Sequence, residues 1–369
     1  MKEILYKIAE WTLSGFFGIT LGVIFAKPIT KLMKILKFYL RKLFNKSKLP
    51  LKKPELFHFG NLETPWLIVD GGIKGGQYST ESIKTSFNQR KLKLPPDLKK
   101  RYDEIKRREE TKKKKGKTFQ WNGKRYYLES YVNSRTPLDE YLTLDLRFGP
   151  SDYYTFQATN MSLNEKVSKN NKKRLLRGIY LKDVKWDKPV KFFSNSFGIN
   201  LTVVTEDNYV IFTKRSENLG SRPNVYNISM CEGISASDSK ITDPAPDLFR
   251  TAMRGLGEEI AEELALIVPK DDILFLSFGV DTEYSQWGLL GTVRVNATKT
   301  QIEKWRGRST KDKWENIKVE YVTYKPKDVI KYVFSKEPWG PGALCCIYHT
   351  LIHDFDLIEI NRLIDKYRK

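Results

Sequence analysis

Residues 246–266 read PDLFRTAMRGLGEEIAEELAL. Four glutamates, Glu258, Glu259, Glu262 and Glu263, fall within six residues of a chain whose net charge is +21. Leu248, Ala252, Leu256, Ile260 and Leu264 recur at every fourth position, the spacing of a helix with one buried stripe. Residues three and four apart share a helix face, so carboxylates at 259, 262 and 263 are expected to converge. Carboxylates this dense repel one another unless something positive sits among them, either a hard divalent cation such as magnesium or a ring of Lys and Arg. The plainer reading is a surface helix with an acidic, solvated face.

The stretch resembles the Nudix box, the metal-binding loop and helix of hydrolases acting on nucleoside diphosphates linked to another group. Two registers fit that pattern. In the first, Arg254 to Ala261 takes the Arg-Glu-aliphatic-x-Glu-Glu-x-Gly slots, with Gly255 where the first glutamate belongs. In the second, Glu259 to Leu266 takes the slots from the first glutamate onward, and Glu258 stands in place of the arginine. The first is preferred, because Ala252 also follows the family's habit. Upstream, Glu232-Gly233 takes the role of the loop glycine at a longer spacing, and Arg250 stands where another glutamate is usual. The resemblance implies metal binding by Glu258, Glu259, Glu262 and Glu263. In an active enzyme it makes Glu258 and Glu259 catalytic, with magnesium as the cofactor.

Working outward, LTVVTEDNYVIFTKRS (201–216) reads as two strands joined by the polar turn Glu206-Asp207-Asn208. In the resembled family this hairpin precedes the box, and a basic pair at its end faces substrate phosphate. That implies ligand contacts from Lys214 and Arg215, joined by Arg254. Residues 225–230, 273–280, 287–295 and 317–324 read as further strands, with helices expected over 299–306, 326–335 and much of 342–367. The order matches the α/β/α sandwich with a mixed sheet that the family uses.

N-terminal to this region, residues 49–190 form a lead-in. It comprises a Pro- and Gly-rich stretch, a charged helix over 97–117 opened by Pro95-Pro96, and strands around 119–132, 141–148 and 152–159. Lys112 to Lys115 is a run of four lysines. Its plain reading is a solvated face, and its sharper one a phosphate contact. His349 and His353 beside Cys345 and Cys346 have zinc-like spacing, but they sit in an apolar helix and are expected to pack as core. Three cysteines imply no disulfide framework.

Residues 1–48 read as a transmembrane helix followed by a basic amphipathic helix. WTLSGFFGITLGVIFA (11–26) carries no charge for 16 residues, slightly short of a full span. Residues 27–48 then carry eight cations and no acid, which puts the N-terminus outside and the bulk of the chain in the cytoplasm. Ser14, Gly18 and Gly22 repeat every four residues, a helix-pairing face that implies a homo-oligomer. Residues 31–44 are expected to lie on anionic membrane lipids.

Three domains are thus expected: 1–48, 49–190 and the Nudix-like 191–369. An anchor fused to such a domain resembles the membrane-linked Nudix effectors of bacterial CBASS, the cyclic-oligonucleotide antiphage systems. That implies a single-pass inner-membrane protein whose cytoplasmic domain binds a cyclic or other nucleotide and triggers membrane disruption and cell death. The alternative is a membrane-tethered, magnesium-dependent Nudix hydrolase. A nucleic-acid partner ranks last, since no nucleic-acid-binding fold pattern is legible.

Overall fold

A computed structural model describes residues 56–71, 76–136, 141–169, 172–217, 219, 221–309 and 316–368. Among them no helix is long and apolar enough to cross a membrane. That finding corrects the transmembrane architecture and the single-pass inner-membrane placement. The apolar run 11–26, the basic helix 31–44 and the Ser14, Gly18, Gly22 face lie outside the described residues.

Lys52–Lys369 forms one compact unit. Trp66–Gly71 (β1) is the edge strand of its main sheet. Ile83–Phe87 (β2), Lys124–Arg135 (β3) and Leu142–Asp152 (β4) make a separate three-stranded sheet in the order β2-β4-β3. Pro96–Lys114 (α1) lies between β2 and β3, with proline in its first turn, where the missing N–H costs nothing. The aromatic run at 152–159, expected as a strand, is instead the short helix Tyr153–Ala158 (α2). Asp152 caps it by accepting from the Thr155 N–H at 2.7 Å, and this local bond outweighs the strand preference of the aromatics.

The main sheet continues with Phe197–Thr205 (β5), Tyr209–Arg215 (β6), Tyr226–Ile228 (β7) and Met230–Gly233 (β8). After the helical stretch quoted above come Ile273–Asp281 (β9), Gln286–Val295 (β10) and Asn316–Thr323 (β11). The order β7-β6-β5-β10-β9-β1 has β8 on β5 and β11 on β6. Only β5 and β10 run parallel within it, so the sheet is mixed, as expected.

One face packs on Leu248, Ala252, Leu256 and Ile260 and on the inner side of the three-stranded sheet. Phe148 meets Phe197 edge-on there at 5.3 Å. The other face is covered by Pro326–Phe334, Pro341–Asp354 and Leu357–Tyr367. Cys345, Cys346 and His349 are buried in this second layer. The Cys345 sulfur is 3.8 Å from the nearest His349 nitrogen, and the ring bonds Ser277 at 2.7 Å, so these three residues are core, as expected, whereas His353, expected with them, is half-buried and bonds Asp354 at 2.7 Å.

The feature that positions the site is a split in the sheet. β5 and β6 leave their hairpin and pair only at Val204 and Val210. The chain from Tyr226 runs down β6 towards the hairpin, turns at Ser229 and returns along β5, where Met230 faces Leu201 and Gly233 faces Gly198. Ser229 is fully buried at the vertex. Its hydroxyl accepts from the Val203 N–H at 2.8 Å and donates to the Ile211 carbonyl at 2.6 Å. It thereby satisfies two backbone groups that the split would otherwise orphan.

Ser229→Ala should cost about 1–3 kcal/mol in denaturant unfolding, because it strands one donor and one acceptor in the core. Burial lowers the His349 ring to about 4, so the folded protein resists its protonation. Stability is therefore intact above the ordinary histidine value near 6.5 and is lost as pH falls from there towards 4. The loss should reach about 3 kcal/mol and be absent from His349→Gln in a pH series of melting curves.

Candidate functional site

The returning strand β8 delivers Glu232-Gly233 to a loop that ends in a capping box. The Ser235 N–H donates to Asp238 at 2.7 Å, and Asp238 is fully buried. Asp247 then caps Leu248–Gly255 (α3) through the Phe249 and Arg250 N–H groups. From α3, Thr251 donates to Asp238 at 2.9 Å. Arg254 grips the same carboxylate with Nε at 2.8 Å and Nη2 at 3.0 Å.

Arg254 is the hub of the site. Besides Asp238, its guanidinium meets Glu232 at 3.1 Å and Glu258 at 2.9 Å. It also donates to the Gly233 carbonyl at 2.8 Å. Burial alone would lower its pKa. The Asp238 bond and the charges of Glu232 and Asp238 hold it above the ordinary arginine value, so it is a permanent cation. A buried carboxylate is tolerated only when paired this completely.

The acidic stretch is not one continuous helix. α3 passes into a π turn over Leu256–Ile260, closed by the Ala261 N–H on the Leu256 carbonyl at 3.0 Å. Ala261 is extended at φ −162, and a second helix, Glu262–Ile267 (α4), starts after it. All five stripe residues stay buried, but the break redistributes the carboxylates. Glu258 points back to Arg254. Glu259 is 3% exposed and accepts from the Cys231 N–H on β8 at 3.1 Å. Glu262 and Glu263 open α4, Glu262 exposed and Glu263 half-buried. Arg306, on Lys299–Ser309 (α5), donates to the Glu259 carbonyl and so clamps the end of the π turn.

Gly255 stands where the first register calls for a carboxylate. A Cβ there would lie 2.7 Å from the Met230 sulfur and 2.8 Å from the Glu232 Cβ, so this position packs directly on β8. Among the described residues no group of three His, Cys, Asp or Glu side chains is disposed to hold a metal ion. Of the four glutamates expected to bind metal, Glu258 is engaged by Arg254. Asp238, Glu232 and Glu258 share one guanidinium, and an ion would have to displace it.

The basic pair expected to face phosphate is divided by strand alternation. Lys214 lies over the Tyr226 ring at 4.9 Å. Its neighbour Arg215 faces across the ladder to Asn316, and its charge reaches Cys231. The Arg215 Nε is buried without a hydrogen-bond partner, and so is the Asn316 Nδ2. Asn316 is only 5% exposed. The Cys231 thiol beside them is pushed up to about 11 by burial, so it is no thiolate nucleophile at neutral pH. Sequence reasoning missed Asp238 and Ser229. Ser235-x-x-Asp238 was a readable capping box, whereas Ser229 left no signal.

No family model matches the chain, and no curated protein matches it. Solved structures do. The protein DR0079 from Deinococcus radiodurans matches with TM-score 0.29 and 13% identity, over 46% of this chain and 85% of that one. The MutT protein from Methanosarcina mazei Go1 matches with TM-score 0.24 and 10% identity, over 47% of this chain and 96% of that one.

Arg254→Ala should destabilise the fold by about 3–5 kcal/mol, because it leaves Asp238 charged and buried. Gly255→Glu should restore no tight magnesium binding and should cost about 1–3 kcal/mol by overpacking against β8. Chemical denaturation and magnesium calorimetry measure the two effects.

Proposed function

We propose that this chain is a Nudix-like module that binds a phosphorylated nucleotide without hydrolysing it. The observation that carries this reading is the Arg254 hub, which engages Glu258, one of the glutamates a hydrolytic metal ion would use, together with Glu232 and Asp238. With Gly255 packed on Met230 and Glu232, the missing ligand cannot be supplied at that position. The protein also carries two buried donors that its own chain leaves unmet. Arg215 Nε and Asn316 Nδ2 are cross-strand neighbours with no acceptor, and each such orphan costs about 1–3 kcal/mol until something accepts from it. A phosphate oxygen is the natural acceptor, since guanidinium and phosphate bond with charge assistance. The net charge of +21 draws such an anion in.

Of the ligand residues the resemblance implied, Arg215 keeps that role here. Arg254 becomes structural, and Lys214 is turned to the opposite face. The ligand class we favour is a nucleotide second messenger, cyclic oligonucleotides among them. No membrane step belongs to this reading.

Calorimetry of the full chain against nucleoside di- and triphosphates and cyclic di- and trinucleotides tests it, in magnesium and again in EDTA. One class should bind equally well in both, with no product formed. Arg215→Ala should weaken that binding about tenfold or more, the worth of a charged hydrogen bond. Magnesium-dependent turnover lost in Glu259→Gln would overturn the proposal in favour of a hydrolase.

A further inference from the structure

A second site lies away from the Arg254 hub, where α1 meets the segment leading into β3. The last turn of α1 carries Lys112, Lys113 and Lys114. A cleft of about 420 Å³ opens there, lined by Arg107, Arg108, Lys112, Lys115 and Lys117 together with Thr111 and a single acid, Glu104. Surface lysines alone would be a solvated face. Two observations separate this cleft from one.

First, two of its five cations, Arg108 and Lys112, are held in place from beneath. Glu109 is fully buried in the helix. It accepts from Arg108 Nε at 2.9 Å, from Lys112 Nζ at 2.8 Å and from the Gln120 N–H at 2.9 Å. Burial alone would raise Glu109, but these three bonds bring it down to about 2, so it stays ionised. The contact with Gln120 also ties the segment 119–121 to the helix. That segment is pinned from its other side by the Tyr154 hydroxyl on the Gln120 carbonyl at 2.7 Å.

Second, the pinned segment presents aromatic faces beside the cations. Trp121 is 73% exposed and Phe119 38% exposed. Lys113 lies over the Phe119 ring at 5.6 Å. The Trp121 ring rests on Gly123, so close that a Cβ at 123 would meet it at 2.9 Å. One side of the large ring thus lies against the chain and the rest faces solvent.

We infer that this surface binds single-stranded nucleic acid, with phosphates in the cleft and a base stacked on Trp121. A cationic cleft and an open indole face on the segment tied to it by Gln120 suit an unpaired strand, which offers charge and exposed bases together. A duplex hides its base faces and would leave Trp121 unused.

The test is fluorescence anisotropy of a labelled oligothymidylate with the full chain over a salt series. Binding should weaken steeply with salt. Lys115→Ala with Lys117→Ala should flatten the slope by about 0.7 per lost phosphate contact. Trp121→Ala should weaken binding about tenfold and leave the slope nearly unchanged. Arg215→Ala, which reports on the nucleotide site, should alter neither. Three outcomes overturn the inference: no saturable binding at low salt, binding insensitive to Trp121→Ala, or preference for duplex of the same length. Capture by anionic vesicles that the oligonucleotide fails to displace would likewise overturn it and assign the surface to lipid.

Discussion

A carboxylate with no access to water, Asp238, sets the terms for the functional half of this protein. Burying one charge is costly, and the chain meets that cost from three separate places. These are the Ser235 N–H in the loop, Thr251 on α3 and Arg254 a turn later. One donor comes from the loop and two from α3, so the loop and the helix are tied together, and Arg254 extends the tie to Glu232 and Gly233 on β8. Arg254 then has donors left over, and it spends them on Glu232, Gly233 and Glu258. The cluster that looks like a metal site is therefore balanced by the protein's own cation. Its first duty is to hold the loop and helix in register.

Part of this was legible in the residues alone. The apolar spacing from Leu248 to Leu264 marked a buried stripe, and all five side chains are buried. The strand-turn-strand pattern at 201–216 and the strands at 273–280 and 287–295 also appear where period and β-branching put them. The Cys345 and His349 cluster packs as core, as an apolar helix suggests. What periodicity could not express is a change of period. A π turn adds one residue, and the stripe survives because Ala261 turns extended and restarts the helix. Every carboxylate after the turn is thereby re-aimed, so convergence judged on an ideal helix does not hold there.

Other features escaped for a different reason. Arg254 and Asp238 are sixteen residues apart, and Ser229 acts on Val203 and Ile211. No local pattern encodes such pairings. Strand alternation turns Lys214 and Arg215 opposite ways, whereas their adjacency in sequence invites reading them as one phosphate clamp. The transmembrane expectation rested on hydropathy at the N-terminus, and among the described residues no helix is long and apolar enough to cross a membrane.

The edge strand β1 has a bearing on how the chain assembles. Trp66–Gly71 pairs with β9, and Trp66 faces Asp281 about two hundred residues later, a loop whose closure entropy must be met before the pairing returns anything. During synthesis β1 precedes β9, the strand it pairs with, by about two hundred residues. Unpaired strands of this kind invite the wrong partner. The three-stranded sheet and α1 fall between the two pairing partners in sequence and pair among themselves. Once formed they would shorten the effective gap that β1 must span, so this segment bears on the entropy of closing the sheet as well as forming a wall of the core.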